Sequence, residues 1–425
     1  MRYVEDIAKE QYYLGHEVFM IFPSSTVFPS SRKVNISLDG KHLGVNFLKI
    51  NNAAPPPLFH GVRSPNKFID ISESLSIKTL DSFYEAVKPD VFHIHSLMSL
   101  PLKLVRYLKC KGVKVIFTSH DYYGLCLRVS FVDYLGNICD APSDIKCTRC
   151  NIQAQSISFL RARNLKVLLK LKKPLGRLKL FVAKVPQGNS VSDKKVESSI
   201  PKYKSLLSYY RQVFECVDLF HFNSSIAKDT YKGLLSVNNF SVLSVMHNGI
   251  KDNRVRRAID DDSIRFGFIG PLDNYKGFPL LNRAFALLAA KGYQDWKVSV
   301  WGSDACGSVV DEEQFKFYGK FSGLDLAKVF DSMDVLIVPS IWKETFSLIT
   351  LEALSYGVPV LVSEHVGAKD LLNGYAESFV FRVSEEGLLE KLLMILDDPL
   401  ILEAYNNWIL SSEISFNFRE HVEEL

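Results

Sequence analysis

Two glutamates eight residues apart, Glu344 and Glu352, stand in the stretch IWKETFSLITLEALSYGVPVLVS, Ile341 to Ser363. VLIVPS, just before it, reads as an incoming strand because it is β-branched and closes on a turn signal. Ser347 is a natural N-cap, and LITLEALSYG continues as a helix that Gly357 stops. Pro359 opens a second buried strand, PVLVS. Glu344 then lies on the loop and Glu352 one to two turns into the helix. Both fall near a helix N-terminus, whose unpaired amides attract a diphosphate. Carboxylates repel phosphate, so a carboxylate on each side of an anion site calls for a partner rich in hydroxyls. A nucleotide sugar supplies both halves.

This segment resembles the retaining glycosyltransferases of the GT-B fold, glycosyltransferase family 4. Their signature is E-x7-E followed by an A-x-x-G-x-P-V strand entry. The resemblance implies that Glu344 contacts the donor sugar and Glu352 holds the ribose hydroxyls. It implies that Thr345, Phe346, Ser347 and Leu348 line the donor between them. IGPLDNYKGF, Ile269 to Phe278, is similar to the family's glycine and lysine turn. Gly270 and Lys276 match its donor-binding positions, the lysine on the pyrophosphate. Pro271 stands where many relatives have arginine, which leaves one phosphate contact unmatched.

TSHDYYGLC places His120 and Asp121 at the carboxyl end of a parallel strand, the edge where ligands bind in open α/β sheets. A lone histidine there is otherwise a structural residue; the resemblance implies that His120 approaches the donor sugar and the reaction centre. His95, at the tip of the previous strand, is a weaker candidate. No carboxylate stands out as a covalent nucleophile. The family's chemistry has the leaving phosphate deprotonate the acceptor on the same face, with no catalytic cofactor and no catalytic metal. Asp260, Asp261 and Asp262 read as solvated acids of an interdomain linker.

A chain of 425 residues allows two domains, and 47% hydrophobic with 23% charged residues is ordinary for an α/β protein. No apolar run reaches the ~18 residues of a spanning helix, and the opening RYVEDIAKE is too charged for a signal peptide. Seven cysteines fit a reducing cytosol. Four of them, Cys126, Cys139, Cys147 and Cys150, follow C-x12-C-x7-C-x2-C. They fit a structural zinc site or reduced, packed thiols. The net charge of +4 hides an asymmetry: Ile145 to Ser192 contains no acidic residue and carries eleven cations, Lys166, Lys170, Lys172 and Lys173 among them. Leu, Val and Phe interleave with these cations, which suits an anionic membrane surface or a solvated helical insertion. Nothing in the sequence accompanies the charge with a nucleic-acid motif.

Strand and helix patterns alternate in two blocks, HEVFMIF, DVFHIH, VKVIFTS, VDLFHFNS and SVLSVMHNG, then IRFGFIG, KVSVWG, VLIVPS and PVLVS. Two doubly wound, Rossmann-like parallel-sheet domains follow, in the GT-B arrangement of two domains facing a cleft. The expected division is an acceptor-side domain at 1–250 with a basic insertion at 151–205, a nucleotide-sugar domain at 251–404, and terminal helices at 405–425 that return toward the first domain. Relatives begin with a central strand and a glycine-rich loop before the helix that RYVEDIAKE resembles. The expectation is therefore a first sheet divided at its centre.

The function these readings favour is transfer of a sugar from a UDP- or GDP-linked donor to a glycan or polyprenyl-linked acceptor of a bacterial surface polysaccharide. The enzyme would be cytoplasmic and peripheral at the inner membrane face. A nucleotide-sugar epimerase of the same fold and an inactive, truncated binding subunit are the alternatives.

Overall fold

The computed structural model of the chain describes residues 2–24, 33–164, 192–259, 263–303, 309 and 311–425. Lys166, Lys170, Lys172 and Lys173 of the basic stretch and Asp260, Asp261 and Asp262 of the expected linker lie outside the described residues. Two compact units account for the chain beyond its first two residues. The first holds Tyr3–Phe222 and Thr230–Ser241, the second Asn223–Asp229 and Val242–Leu425. The change of unit thus comes at 241/242 rather than at 250, and residues 405–425 cluster with the second unit. Among the described residues no helix is long and apolar enough to cross a membrane.

The second unit is a six-stranded, all-parallel sheet. Its strands are β8 (Ile264–Ile269), β9 (Trp296–Trp301), β10 (Phe315–Gly319), β11 (Val335–Val338), β12 (Val360–Ser363) and β13 (Val380–Phe381), ordered β10-β9-β8-β11-β12-β13. Every residue of β11 and β12 is buried, as expected for strands covered on both faces. Phe285, on the helix Phe278–Ala290, packs its ring against Trp296 at 4.7 Å, Phe266 at 5.3 Å and Phe315 at 5.7 Å. The order reverses between β8 and β11, which pair directly, Val335 beside Phe266. Chain leaving β8 turns one way and chain leaving β11 the other. The crevice between them, at the carboxyl ends, is where such sheets bind ligands.

The first unit has two separate sheets. β1 (Phe19–Pro23), β2 (Asn35–His42) and β3 (Val45–Asn51) are ordered β1-β3-β2; β4 (Val91–Ile94), β5 (Lys114–Thr118), β6 (Leu219–Phe222) and β7 (Phe240–Val242) are ordered as they occur. Among the described residues β1 and β4 are each an edge strand. Two differences from the sequence pattern have local causes. β2 and β3, absent from the strand runs read in the sequence, form an antiparallel hairpin. Its two-residue turn is Leu43–Gly44, with φ +47° and +83°; leucine in that turn is not the usual Asn-Gly signal. SVLSVMHNG is a strand only to Val242. Beyond it Val245 and Met246 are buried in irregular chain, and the Ile250 N–H bonds back to the His247 carbonyl at 3.0 Å.

Gly277 sets the close approach of the two connections at the crevice. Its φ is +79°, and a Cβ there would sit 1.7 Å from the Pro339 carbonyl oxygen. Both the backbone angle and the contact with rigid main chain oppose any side chain. Gly277→Ala is expected to cost more than about 2 kcal/mol and to lower the melting temperature of the second unit. An unchanged calorimetric transition would contradict this packing.

Candidate functional site

After β8 the chain passes Gly270 (φ +152°), whose N–H bonds the Trp301 carbonyl at 2.9 Å. A single 3-10 turn, Asn274–Lys276, then leads through Gly277 into the helix Phe278–Ala290. After β11 the chain forms the loop that carries Glu344. The two connections meet: the Ile341 N–H donates to the Tyr275 carbonyl at 3.0 Å. The Lys276 ammonium donates to Glu344 Oε1 at 2.6 Å, and the Ser340 hydroxyl donates to Glu344 Oε2 at 2.6 Å. Two residues 68 apart in sequence thus form one ion pair. Glu344 is only 9% exposed, so these donors stand in for water at its oxygens.

The loop is held from its far side as well. The Glu344 N–H donates to the His365 carbonyl at 2.8 Å, the Gly367 N–H to the Glu344 carbonyl at 2.9 Å, and the Ala368 N–H to the Phe346 carbonyl at 2.8 Å. The Ser224 hydroxyl donates to the Thr345 carbonyl at 2.7 Å. Ser347 sits at the N-cap of the helix Leu348–Ser355 with φ +107° and ψ +87°. This is unfavourable backbone for a side-chain-bearing residue, worth roughly 1–3 kcal/mol. Its hydroxyl does not cap the helix, contrary to the sequence expectation, and accepts instead from the Thr350 hydroxyl at 3.1 Å. Strain of this kind persists only where the surroundings impose it, and the three β12-side backbone bonds do so.

Glu352 lies on that helix, and Gly357 (φ +74°) follows the helix end as expected. The Glu352 carboxylate is met by a residue the sequence did not single out: His247 Nε2 lies 2.8 Å from Glu352 Oε1. Ser340, His365 and Gly367 were also missed. Each serves Glu344 through a contact between distant segments or across the loop, and none belongs to the E-x7-E spacing.

In the first unit His120 is part of a set of four imidazoles, His221 buried and the other three half-buried. His93 Nε2 is 2.7 Å from the Thr118 hydroxyl, which is 3.0 Å from His221 Nδ1; His95 Nδ1 is 3.1 Å from His120 Nε2. The His93 and His95 rings are 4.0 Å apart, and Tyr3 sets its ring edge-on to His120 at 5.1 Å. Burial, with the neighbouring imidazoles, lowers His93 and His120 to about 3 and moves His95 in the same direction. Burial raises Asp121 to about 6, opposed by the Tyr123 N–H that donates to it at 2.7 Å.

The four cysteines gather in one lobe near enough to feel one another's charge. Cys139 follows a small antiparallel bridge, Val132 to Ile138, and Cys147 and Cys150 ride the helix Asp144–Ile152. The Ser143 N–H donates to Cys147 Sγ at 3.3 Å. Burial raises all four thiols, Cys147 to about 11 and Cys150 to about 12. Among the described residues no group of three or more His, Cys, Asp or Glu side chains is arranged to hold a metal.

Residues 249–412 match the family of glycosyl transferases group 1. An uncharacterized glycosyltransferase of Methanocaldococcus jannaschii is 30% identical over 123 residues, which covers 27% of this chain and 31% of the relative. The chain therefore matches about a third of that relative's length. Among solved structures, sucrose-phosphate synthase from Thermosynechococcus elongatus superposes with TM-score 0.57 at 16% identity, over 100% of this chain and 88% of the other. A trehalose-6-phosphate protein of E. coli bound with UDP-2-fluoro glucose superposes with TM-score 0.53 at 12% identity, over 100% and 94%. These likenesses identify the fold as GT-B.

The histidine set makes the first unit sensitive to acid. Each lowered histidine is neutral in the folded state and protonates near 6.5 once unfolded, so its stabilisation is present above that pH and is lost as pH falls toward 3. Raised Asp121 works the other way between about 6 and its ordinary value of 3.8. The lowered histidines outnumber the one raised aspartate, so stability falls as pH drops through this range. The melting temperature of the first unit is expected to fall steeply from pH 6.5 to 5, and less steeply in His93→Gln. A flat profile would show that the imidazoles are not held neutral.

Proposed function

Starting from a glycosyl transferases group 1 domain at residues 249–412, we propose that the chain transfers a sugar from a nucleoside diphosphate donor to a glycan or lipid-linked acceptor. Transfer proceeds with retention and without a metal. The observation that carries this reading is the Lys276–Glu344 pair at the reversal of strand order. A cation that meets a diphosphate and a carboxylate that meets sugar hydroxyls belong side by side in a nucleotide-sugar site. Before the donor arrives they neutralise each other. When it binds, the ammonium turns to the diphosphate oxygens, and Glu344, still held by Ser340, is left to accept from sugar hydroxyls. Glu352, on the helix that the loop opens, takes the ribose hydroxyls.

Bond cleavage leaves a second negative charge on the departing phosphate. Lys276 stabilises that charge as it develops, together with the amides at the start of the helix Leu348–Ser355. Positioning and anion stabilisation are then the protein's contribution, and the leaving phosphate takes the acceptor proton. The cations interleaved with Leu, Val and Phe between residues 161 and 184 support an acceptor presented at an anionic membrane surface.

A screen of UDP- and GDP-sugars for donor hydrolysis and transfer tests the reaction. An epimerised sugar with no transfer would favour the epimerase alternative. Lys276→Ala is expected to lower turnover by about 10²–10³-fold, and Glu352→Ala to weaken UDP or GDP binding in calorimetry without loss of the folded state. Turnover within twofold of the parent, or an unchanged dissociation constant, would refute those roles. Binding to anionic liposomes should fall steeply with salt and vanish when Lys166, Lys170, Lys172 and Lys173 are replaced by glutamine. Equal binding to neutral vesicles would refute the membrane assignment.

A further inference from the structure

Glu352 has a partner that neither the E-x7-E spacing nor the matched stretch 249–412 includes. His247 lies two residues before that stretch and 105 positions from Glu352 in sequence. It is 3% exposed. The proton on this ring can be placed from its contacts. The Gly249 N–H lies 3.0 Å from Nδ1, and a backbone N–H only donates, so Nδ1 is the acceptor. In the neutral ring the proton is then on Nε2, which faces Glu352 Oε1 at 2.8 Å and donates to it. The imidazole is thus fixed at one nitrogen by the main chain and delivers a hydrogen bond with the other.

A glutamate on a helix swings about three side-chain torsions, and each must be frozen for a two-point contact with a diol. A bound Oε1 removes that freedom before the ligand arrives and leaves Oε2 and the remaining lone pair of Oε1 open. We propose that His247 is a positioning residue that presents the Glu352 carboxylate to the vicinal hydroxyls of a nucleotide ribose. It acts on ribose recognition and not on the diphosphate. The proposal rests on the reading of Glu352 as the ribose ligand.

The test compares UDP and GDP with their 2′,3′-dideoxy analogues by calorimetry. His247→Met fills the buried space without a donor, and His247→Gln keeps an N–H at similar reach. The Met variant is expected to bind the ribonucleotide roughly tenfold or more weakly, as for loss of a hydrogen bond to a charged group, with dideoxy binding unchanged. The Gln variant should stay within about threefold of the parent. In a Glu352→Ala background the Met change should add nothing. Equal losses on ribo- and dideoxynucleotides would reduce His247 to a structural residue and overturn the proposal. So would a Met variant that binds like the parent while Glu352→Ala is weakened. If Glu352→Ala leaves the ribo-to-dideoxy preference intact, the ribose reading itself fails and the proposal falls with it. Melting curves of both His247 variants identify any loss that is merely unfolding.

Discussion

A nearly buried carboxylate with two strong donors organises the second unit's site. Glu344 is 9% exposed, and donors must replace the water it has lost, since desolvating an ion costs several kcal/mol. Lys276 and Ser340 supply them from the ends of β8 and β11. These are the two strands whose pairing marks the reversal of strand order. Other features follow from bringing the two connections together. Gly277 is needed because any side chain would strike Pro339. Ser347 is strained because the loop must turn sharply into its helix while the Gly367 and Ala368 N–H groups and the Ser224 hydroxyl hold its carbonyls.

The two units use the same place in a parallel sheet, the carboxyl ends of its strands, with opposite electrostatics. In the second unit charges are kept and paired. In the first, imidazoles from β4, β5 and β6 are packed so closely that desolvation and mutual repulsion keep those that shift neutral. Neutral rings can donate at one nitrogen and accept at the other, so they link through Thr118 and through each other. A site of paired charges suits a ligand that carries charge and hydroxyls. A neutral hydrogen-bonding wall suits hydroxyls.

Much of the second unit is legible in the amino-acid pattern. Short β-branched runs at β8, β9, β11 and β12 alternate with helical patterns, and burial of both strand faces leaves no other reading. Glu344, Glu352, Lys276 and Gly270 stand out by type and spacing, because loop chemistry is local: a glycine turn after a strand, a glutamate before a helix. The first unit is less legible. Its hairpin turns on Leu43 rather than on a residue that favours positive φ, and the strand expected through Gly249 ends at Val242.

The sequence by itself determined the alternating α/β pattern, the two blocks and the residue types at the candidate site. Those are properties of periodicity and of a few residues close together along the chain. The tertiary structure decided which charges meet. Lys276 meets Glu344 across 68 positions and His95 meets His120 across 25, between chain just beyond separate strands; His247, in irregular chain beyond β7, meets Glu352 on a helix across 105. Sheet order brings such segments together, and sheet order is set by which apolar faces pack. The same packing removes water from the histidines and from Glu344. The neutral histidines and the pairing of Glu344 are therefore consequences of burial, which no spacing along the chain encodes.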